Sequence, residues 1–160
     1  MTEVAATKKR RNNSLEAEGA EFLVLASLLI EGIQAFKAYT RFPGYDLMAV
    51  DPERGTSCRV QVKSRWATDY SRGFPLKSTD CDFVVHVALN RGYSRQRKNG
   101  EGGRTAPALY VLPVGVVLPV ITATSSWGPK VMLRDIDEVG QYLDAWHLIR
   151  AQLAGNGASP

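Results

Sequence analysis

An α/β domain with a mixed central sheet of about five strands, flanked by an N-terminal and a C-terminal helix, is what this sequence predicts. Three observations carry that expectation. A long apolar series with helical spacing opens the chain after a basic tail. Several short alternating or apolar runs with strand character follow it. A second helical pattern closes the chain. At 160 residues and 44% apolar composition, the chain can bury one core and is short for two, so a single domain is expected over 14–153. Residues 1–13 read as a basic tail and 154–160 as a glycine-rich one.

The first helix starts near "NSLE", where Asn13 and Glu16 have the spacing of a capping box, and runs to Ile30, with Gly32 as its stop. "IQAFKAYT" (Ile33 to Thr40) alternates as a strand does. "YDLMAV" and "SCRVQVKS" flank "DPERG" and form a hairpin. If it is symmetric about Glu53 and Arg54, facing positions sum to 107 and Asp46 lies across from Gln61. Alternation then puts Gln61 and Lys63 on the polar face with Asp46, and Leu47, Ala49, Val60 and Val62 on the apolar one. "DFVVHVALN" has the length of a buried strand, and "ALYVLPV" is another. "KVMLRDID" is a short strand. The last segment spaces Val139, Tyr142, Leu143, Trp146, Ile149 and Leu153 as one helical face.

The +4 formal charge is unevenly distributed. Lys8 to Arg11 contributes +4, and Arg91 to Arg104 holds five basic residues against Glu101, another +4, which leaves −4 on the rest. An acidic body with two basic segments points to a polyanionic partner, because clustered cations displace counterions from phosphate backbones. The same segments also read as a solvated tail and loop. Two cysteines without CxxC spacing support neither a disulfide framework nor a metal site, so Cys58 and Cys81 read as free thiols. The N-terminus lacks the apolar stretch of a signal peptide, and no run is long enough to span a bilayer. A soluble, cytoplasmic protein without membrane association is therefore expected.

An aspartate and a lysine gathered beside an amide suit a metal and phosphate site better than a core, since every buried charge must be paired. Hard oxygen donors suit Mg²⁺, which needs only one or two carboxylates and keeps several waters. An ordinary exposed Asp–Lys pair is the plainer alternative.

Those residues, in the order "GAEFLVLASLLIEGIQAFKA", "GYDLMAV", "RVQVKSR", resemble the PD-(D/E)XK, or restriction-endonuclease-like, nuclease superfamily, above all small members similar to archaeal Holliday junction resolvases. The resemblance spans roughly Ala20 to Ser64. It implies a Mg²⁺-dependent deoxyribonuclease, with Mn²⁺ as a possible substitute, that hydrolyses phosphodiester bonds with metal-activated water. Asp46 would be the metal carboxylate, Gln61 the (E/Q) position, Lys63 the catalytic lysine, and the Val62 carbonyl a further ligand. The helix acid falls on Glu21 or Glu18, with Glu21 preferred for its eleven-residue distance from Gly32. Most of the family carries a carboxylate where this chain has Gln61; the Gln-x-Lys form resembles that of active members, including a homing endonuclease of this fold. A decayed site on a nucleic-acid-binding module is the alternative.

Duplex or branched DNA is the partner so implied. Cutting two strands with one small domain calls for two active sites, hence a homodimer. Arg59, Arg65, Arg91, Arg95, Arg97, Lys98 and Arg104 are candidate phosphate contacts. Trp66, Tyr70 and Phe74 could stack on bases or pin a loop. His86 and His147 read as structural, and no nucleophile motif is present.

Overall fold

The computed structural model describes residues 13–39, 44–68, 73–93, 102–123, 126 and 128–156. Helix α1 (Asn13–Ile30) is followed by strands β1 (Gln34–Lys37), β2 (Leu47–Asp51), β3 (Thr56–Arg65), β4 (Gly73–Pro75), β5 (Phe83–Ala88) and β6 (Ala108–Pro113). Helix α2 (Val114–Val117), strand β7 (Lys130–Met132) and helix α3 (Trp146–Leu153) complete the order. The main sheet runs β1-β2-β3-β5-β6 and is mixed: β3 and β5 are parallel, and the other neighbours are antiparallel. β4 and β7 form a separate two-stranded sheet.

Alternation along the strands splits the core in two. On one face Leu47, Ala49, Val60, Val62, Val85 and Val111 pack against Ala20, Val24 and Leu28 of α1 and against Trp146, Ile149 and Leu153 of α3. On the other face Val84 and Leu112 pack against Phe74, Leu76, Val117, Val131 and Leu133. The small β4–β7 sheet and α2 therefore cover what the two long helices leave open.

Helix α1 stops at a Schellman turn, as the position of Gly32 predicts. Gly32 has φ +75°, its N–H donates to Leu29 O (3.0 Å), and the Ile33 N–H donates to Leu28 O (2.9 Å). The helix already includes Asn13, which the sequence places at the N-cap. The β2–β3 hairpin keeps the predicted register, from Asp51↔Thr56 to Leu47↔Val60. Asp51 fixes its turn: Oδ1 accepts from the N–H groups of Glu53 (3.1 Å) and Arg54 (3.2 Å), and Oδ2 pairs with Arg54 Nη1 at 2.7 Å.

The expected single helical face from Val139 to Leu153 is a misreading. Val139–Tyr142 is a 3-10 turn, Asp144 takes φ +49°, and only Trp146–Leu153 is α-helix. The break comes from the sheet. Leu143 bridges Tyr110 on β6, and the Asp144 N–H donates to Leu109 O (2.9 Å), so bonds to the β6 edge replace bonds along a helix. The apolar face then serves both cores: Val139 and Tyr142 pack on one side of the sheet, and Trp146, Ile149 and Leu153 on the other.

Candidate functional site

β3 outruns β2. Thr56 to Val60 pair with β2, whereas Gln61 to Arg65 pair only with β5, which leaves an open edge on the β2 side. The predicted ladder thus stops one residue short of an Asp46–Gln61 pair. Asp46 bends there: its N–H donates to Val60 O (2.9 Å), and its carbonyl accepts from the Ala38 N–H (2.9 Å). Its carboxylate takes over the next rung, Oδ2 accepting from the Val62 N–H at 2.8 Å. A side-chain oxygen thereby satisfies a strand donor that would otherwise lack a partner on that edge. This anchor holds the Asp46 carboxylate against the Gln-Val-Lys segment.

Gln61 is buried, and its partners fix its amide. Turning the nitrogen to Ser78 O (3.1 Å) and the oxygen to Lys63 Nζ (3.2 Å) satisfies both, whereas the reverse sets like against like. Gln61 and Lys63 therefore share a face, as the alternation predicts, and touch. The loop carrying Ser78 lies close to Gly44, two residues before Asp46. A Cβ at Gly44 would stand 2.8 Å from Asp80 O and 2.9 Å from Ser78 Oγ, and φ there is +101°. Only glycine fits that approach.

Helix α1 lies beside the same open edge, and the Ser64 hydroxyl donates to Glu16 Oε1 at 3.4 Å. Glu21 is the more buried of the two candidate helix acids, with 19% of its side chain exposed against 53% for Glu18. Burial raises the Glu21 carboxyl above its ordinary range; the hydrogen bond from Lys37 opposes this, and the charge of Asp46 adds to it.

Lys37 is not among the residues the sequence singles out. Cross-strand pairing with Leu47 turns it to the α1 face, where its side chain is only 5% exposed. Its ammonium pairs with Glu18 and, at 2.9 Å, with Glu21 Oε2, and it lies 4.4 Å from the centre of the Phe22 ring. Burial disfavours the ammonium, but the two glutamates outweigh it, and the pKa rises overall. The available signal was its parity within β1, which matters only once α1 is known to cover that face.

Arg59 is held internally. Its backbone N–H donates to Asp82 Oδ2 (2.7 Å), and its guanidinium pairs with Asp80 and, at 3.4 Å, with Asp82 Oδ2. Arg65 Nη1 donates to Gly73 O at 3.1 Å. Arg91 and Arg104, the first and last cations of the basic segment, face each other in an antiparallel bridge. Arg95, Arg97, Lys98, Tyr70 and the Lys8–Arg11 run lie outside the described residues. Phe74 is buried and stacks on His86 (4.9 Å between centroids, 18°), so both serve the core. Cys58 and Cys81 are buried free thiols, which desolvation pushes up to about 12 and about 11.

Among the described residues no three His, Cys, Asp or Glu side chains cluster closely enough to form a metal site by themselves. The oxygen donors at the open edge are two carboxylates, Asp46 and Glu21, with an amide and main-chain carbonyls. Each carboxylate has one oxygen engaged, by Val62 N–H or by Lys37. That donor set fits a hard divalent ion that keeps most of its waters.

No protein-family model matches the chain, and no curated protein matches it in sequence. Solved structures do match. A bacterial homing endonuclease, I-Ssp6803I, is similar over 90% of this chain and 96% of its own, with 25% identity and a TM-score of 0.58. The fold is that of the restriction-endonuclease-like nucleases. Archaeoglobus fulgidus Hjc, a Holliday junction resolvase from an archaeal hyperthermophile, is also similar, with 16% identity, a TM-score of 0.46, and 90% and 99% of the two chains covered. At the open edge of β3 the Asp46 carboxylate is anchored on the Val62 N–H, between Gln61 and Lys63, whose side chains touch, while Glu21 on α1 pairs with Lys37. No helix among the described residues is long and apolar enough to cross a membrane.

Proposed function

We propose that the chain is a Mg²⁺-dependent DNA endonuclease, restriction-like or resolvase-like, that hydrolyses phosphodiester bonds and works as a homodimer on duplex or branched DNA. The observation that carries this reading is the open edge of β3, where the Asp46 carboxylate is anchored on Val62 N–H beside a Gln61–Lys63 contact. The similarity to a homing endonuclease over nearly the whole chain supports it.

Asp46 and Glu21 would hold the divalent ion, with the Gln61 oxygen and the Val62 carbonyl as further donors. When bound, the ion supplies positive charge that lowers the pKa of water and neutralises phosphate. The residues do the rest. Lys63 places an ammonium where negative charge grows on the phosphorus oxygens, or orients the attacking water. Gln61, being neutral, contributes an oxygen and fixes the Lys63 amine by a hydrogen bond. Lys37 holds one Glu21 oxygen and so directs the other. Arg65, Arg91 and Arg104, with Arg95, Arg97 and Lys98 of the same loop, supply phosphate affinity, and Arg59 contributes less because Asp80 and Asp82 already counter its charge.

A second reading, a nucleic-acid-binding module whose site has decayed, is favoured by the neutral Gln61 and by the absence of a three-carboxylate cluster among the described residues. Incubating the purified chain with Mg²⁺ or Mn²⁺ and plasmid, single-stranded or four-way-junction DNA separates the two. Cleavage by wild type and its loss in Asp46→Ala and Lys63→Ala support the enzyme. DNA binding by all three chains with equal background cleavage supports the module.

A further inference from the structure

The loop between β4 and β5 is pinned to β3 two residues before Gln61. The Asp82 N–H donates to Arg59 O (2.9 Å), while Asp82 Oδ2 accepts from the Arg59 N–H (2.7 Å) and from Arg59 Nε (3.4 Å). The guanidinium also pairs with Asp80, whose N–H donates to Ser78 Oγ at 3.3 Å. From the segment that enters β2, Gly44 closes on the same loop, where an added Cβ would strike Asp80 and Ser78. Held from both sides, Ser78 sets its carbonyl oxygen 3.1 Å from the Gln61 amide nitrogen. Arg59, Gln61 and Lys63 share one face of β3, so a single loop can grip the first and orient the second.

A carbonyl oxygen only accepts, so the group that meets it must donate. An amide gives its nitrogen to Ser78 and keeps its oxygen for Lys63. An ionised carboxylate has acceptors at both ends, and at this buried position it would set oxygen against oxygen and leave the Ser78 carbonyl without a donor. We infer that the loop selects an amide at position 61: the Ser78 carbonyl, held in place by Arg59, Asp80 and Asp82, turns the Gln61 oxygen toward Lys63. Arg59, Asp80 and Asp82 are thus positioning residues that act through Ser78. Gln61 is then a residue the fold calls for, and not a carboxylate position that has decayed. What the amide positions rests on the proposed function, whereas its orientation rests on hydrogen bonds alone.

Nuclear magnetic resonance of the metal-free, full-length chain reads that orientation without cleavage. A scalar coupling across the hydrogen bond, from Gln61 Nε2 to the Ser78 carbonyl carbon, is expected, and none is expected for the exposed Gln34. Without metal, Gln61→Glu is expected to melt at least about 2 °C below wild type. On DNA, Arg59→Ala is expected to lower the single-turnover rate on the order of tenfold with DNA affinity nearly retained, and to add little to Gln61→Met, because both act on one contact. Asp80→Asn, a milder change to the same lock, should lower the rate in the same direction by less. No coupling to Ser78, a Gln61→Glu chain as stable as wild type, or an Arg59→Ala chain that loses DNA affinity but keeps its rate at saturating DNA would overturn the inference. A wild type that shows the coupling and the Gln61→Glu loss yet cleaves no DNA would count against the enzyme reading alone.

Discussion

The two ends of strand β2 carry the same device in two settings. At the turn end, the Asp51 carboxylate accepts main-chain N–H groups from Glu53 and Arg54 and pairs with the Arg54 guanidinium. At the other end, the Asp46 carboxylate accepts the Val62 N–H. Both aspartates finish backbone hydrogen bonding where a ladder ends. Their surroundings differ: the side chain of Arg54 and its N–H hold the Asp51 carboxyl below its usual range, whereas the charge of Asp46 adds to the burial that raises the Glu21 carboxyl. A capping aspartate next to its own cation is complete. Asp46, whose charge bears on a second carboxylate, is where the proposed divalent ion would add positive charge.

That contrast breaks most sharply by mutation at its two ends. Asp46→Ala is expected to lower cleavage on the order of 10³-fold, and Lys63→Ala on the order of 10²-fold, measured as single-turnover rates on saturating DNA. Asp51→Ala is expected to leave the rate unchanged. An equal loss at Asp51 and Asp46 would erase the distinction.

Removing the ammonium of Lys37 comes next. Lys37→Met strips a buried ion pair from Glu21 and is expected to cost about 1–3 kcal/mol in denaturant unfolding. The sign with pH follows from the raised Glu21 carboxyl. The folded state binds that proton more tightly than the unfolded chain does, so the ionised form weakens folding at high pH, and the penalty eases as pH falls through the folded value. The variant should therefore carry its full loss at pH values above the folded Glu21 carboxyl, with Lys37 of the wild type still charged, and regain stability as pH falls from there toward the ordinary carboxylate range.

Gln61→Glu sharpens the comparison in the other direction. A third carboxylate is expected to tighten Mn²⁺ binding severalfold, read by titration calorimetry without DNA. The smallest effect belongs to Asp51 itself. Its depressed carboxyl contributes stability that is present above the unfolded value and lost as pH falls through the folded one, so Asp51→Asn should flatten the acid limb of the stability curve slightly.

The hairpin was readable because its strands alternate strictly about a symmetric turn, and local pattern sets register. The Gly32 stop was readable for a similar reason, since a left-handed cap is a local need. What stayed hidden depends on distant partners. Lys37 looks like any strand lysine until α1 lies over it, the helical spacing from Val139 to Leu153 is overridden by bonds to β6, and Arg59 reads as a phosphate contact until Asp80 and Asp82 fold against it. Of the site, Asp46, Gln61 and Lys63 were legible together, while the exact pairing of Asp46 with Gln61 gave way to its carboxylate bond with Val62.

The central claim is that the open edge of β3 is a metal site. Anomalous diffraction from crystals soaked in Mn²⁺ tests it most directly. One peak within ligand distance of the Asp46 and Glu21 carboxylates, lost in Asp46→Ala, is the predicted result; no peak there, or a peak at the Asp80–Asp82 pair instead, would contradict it.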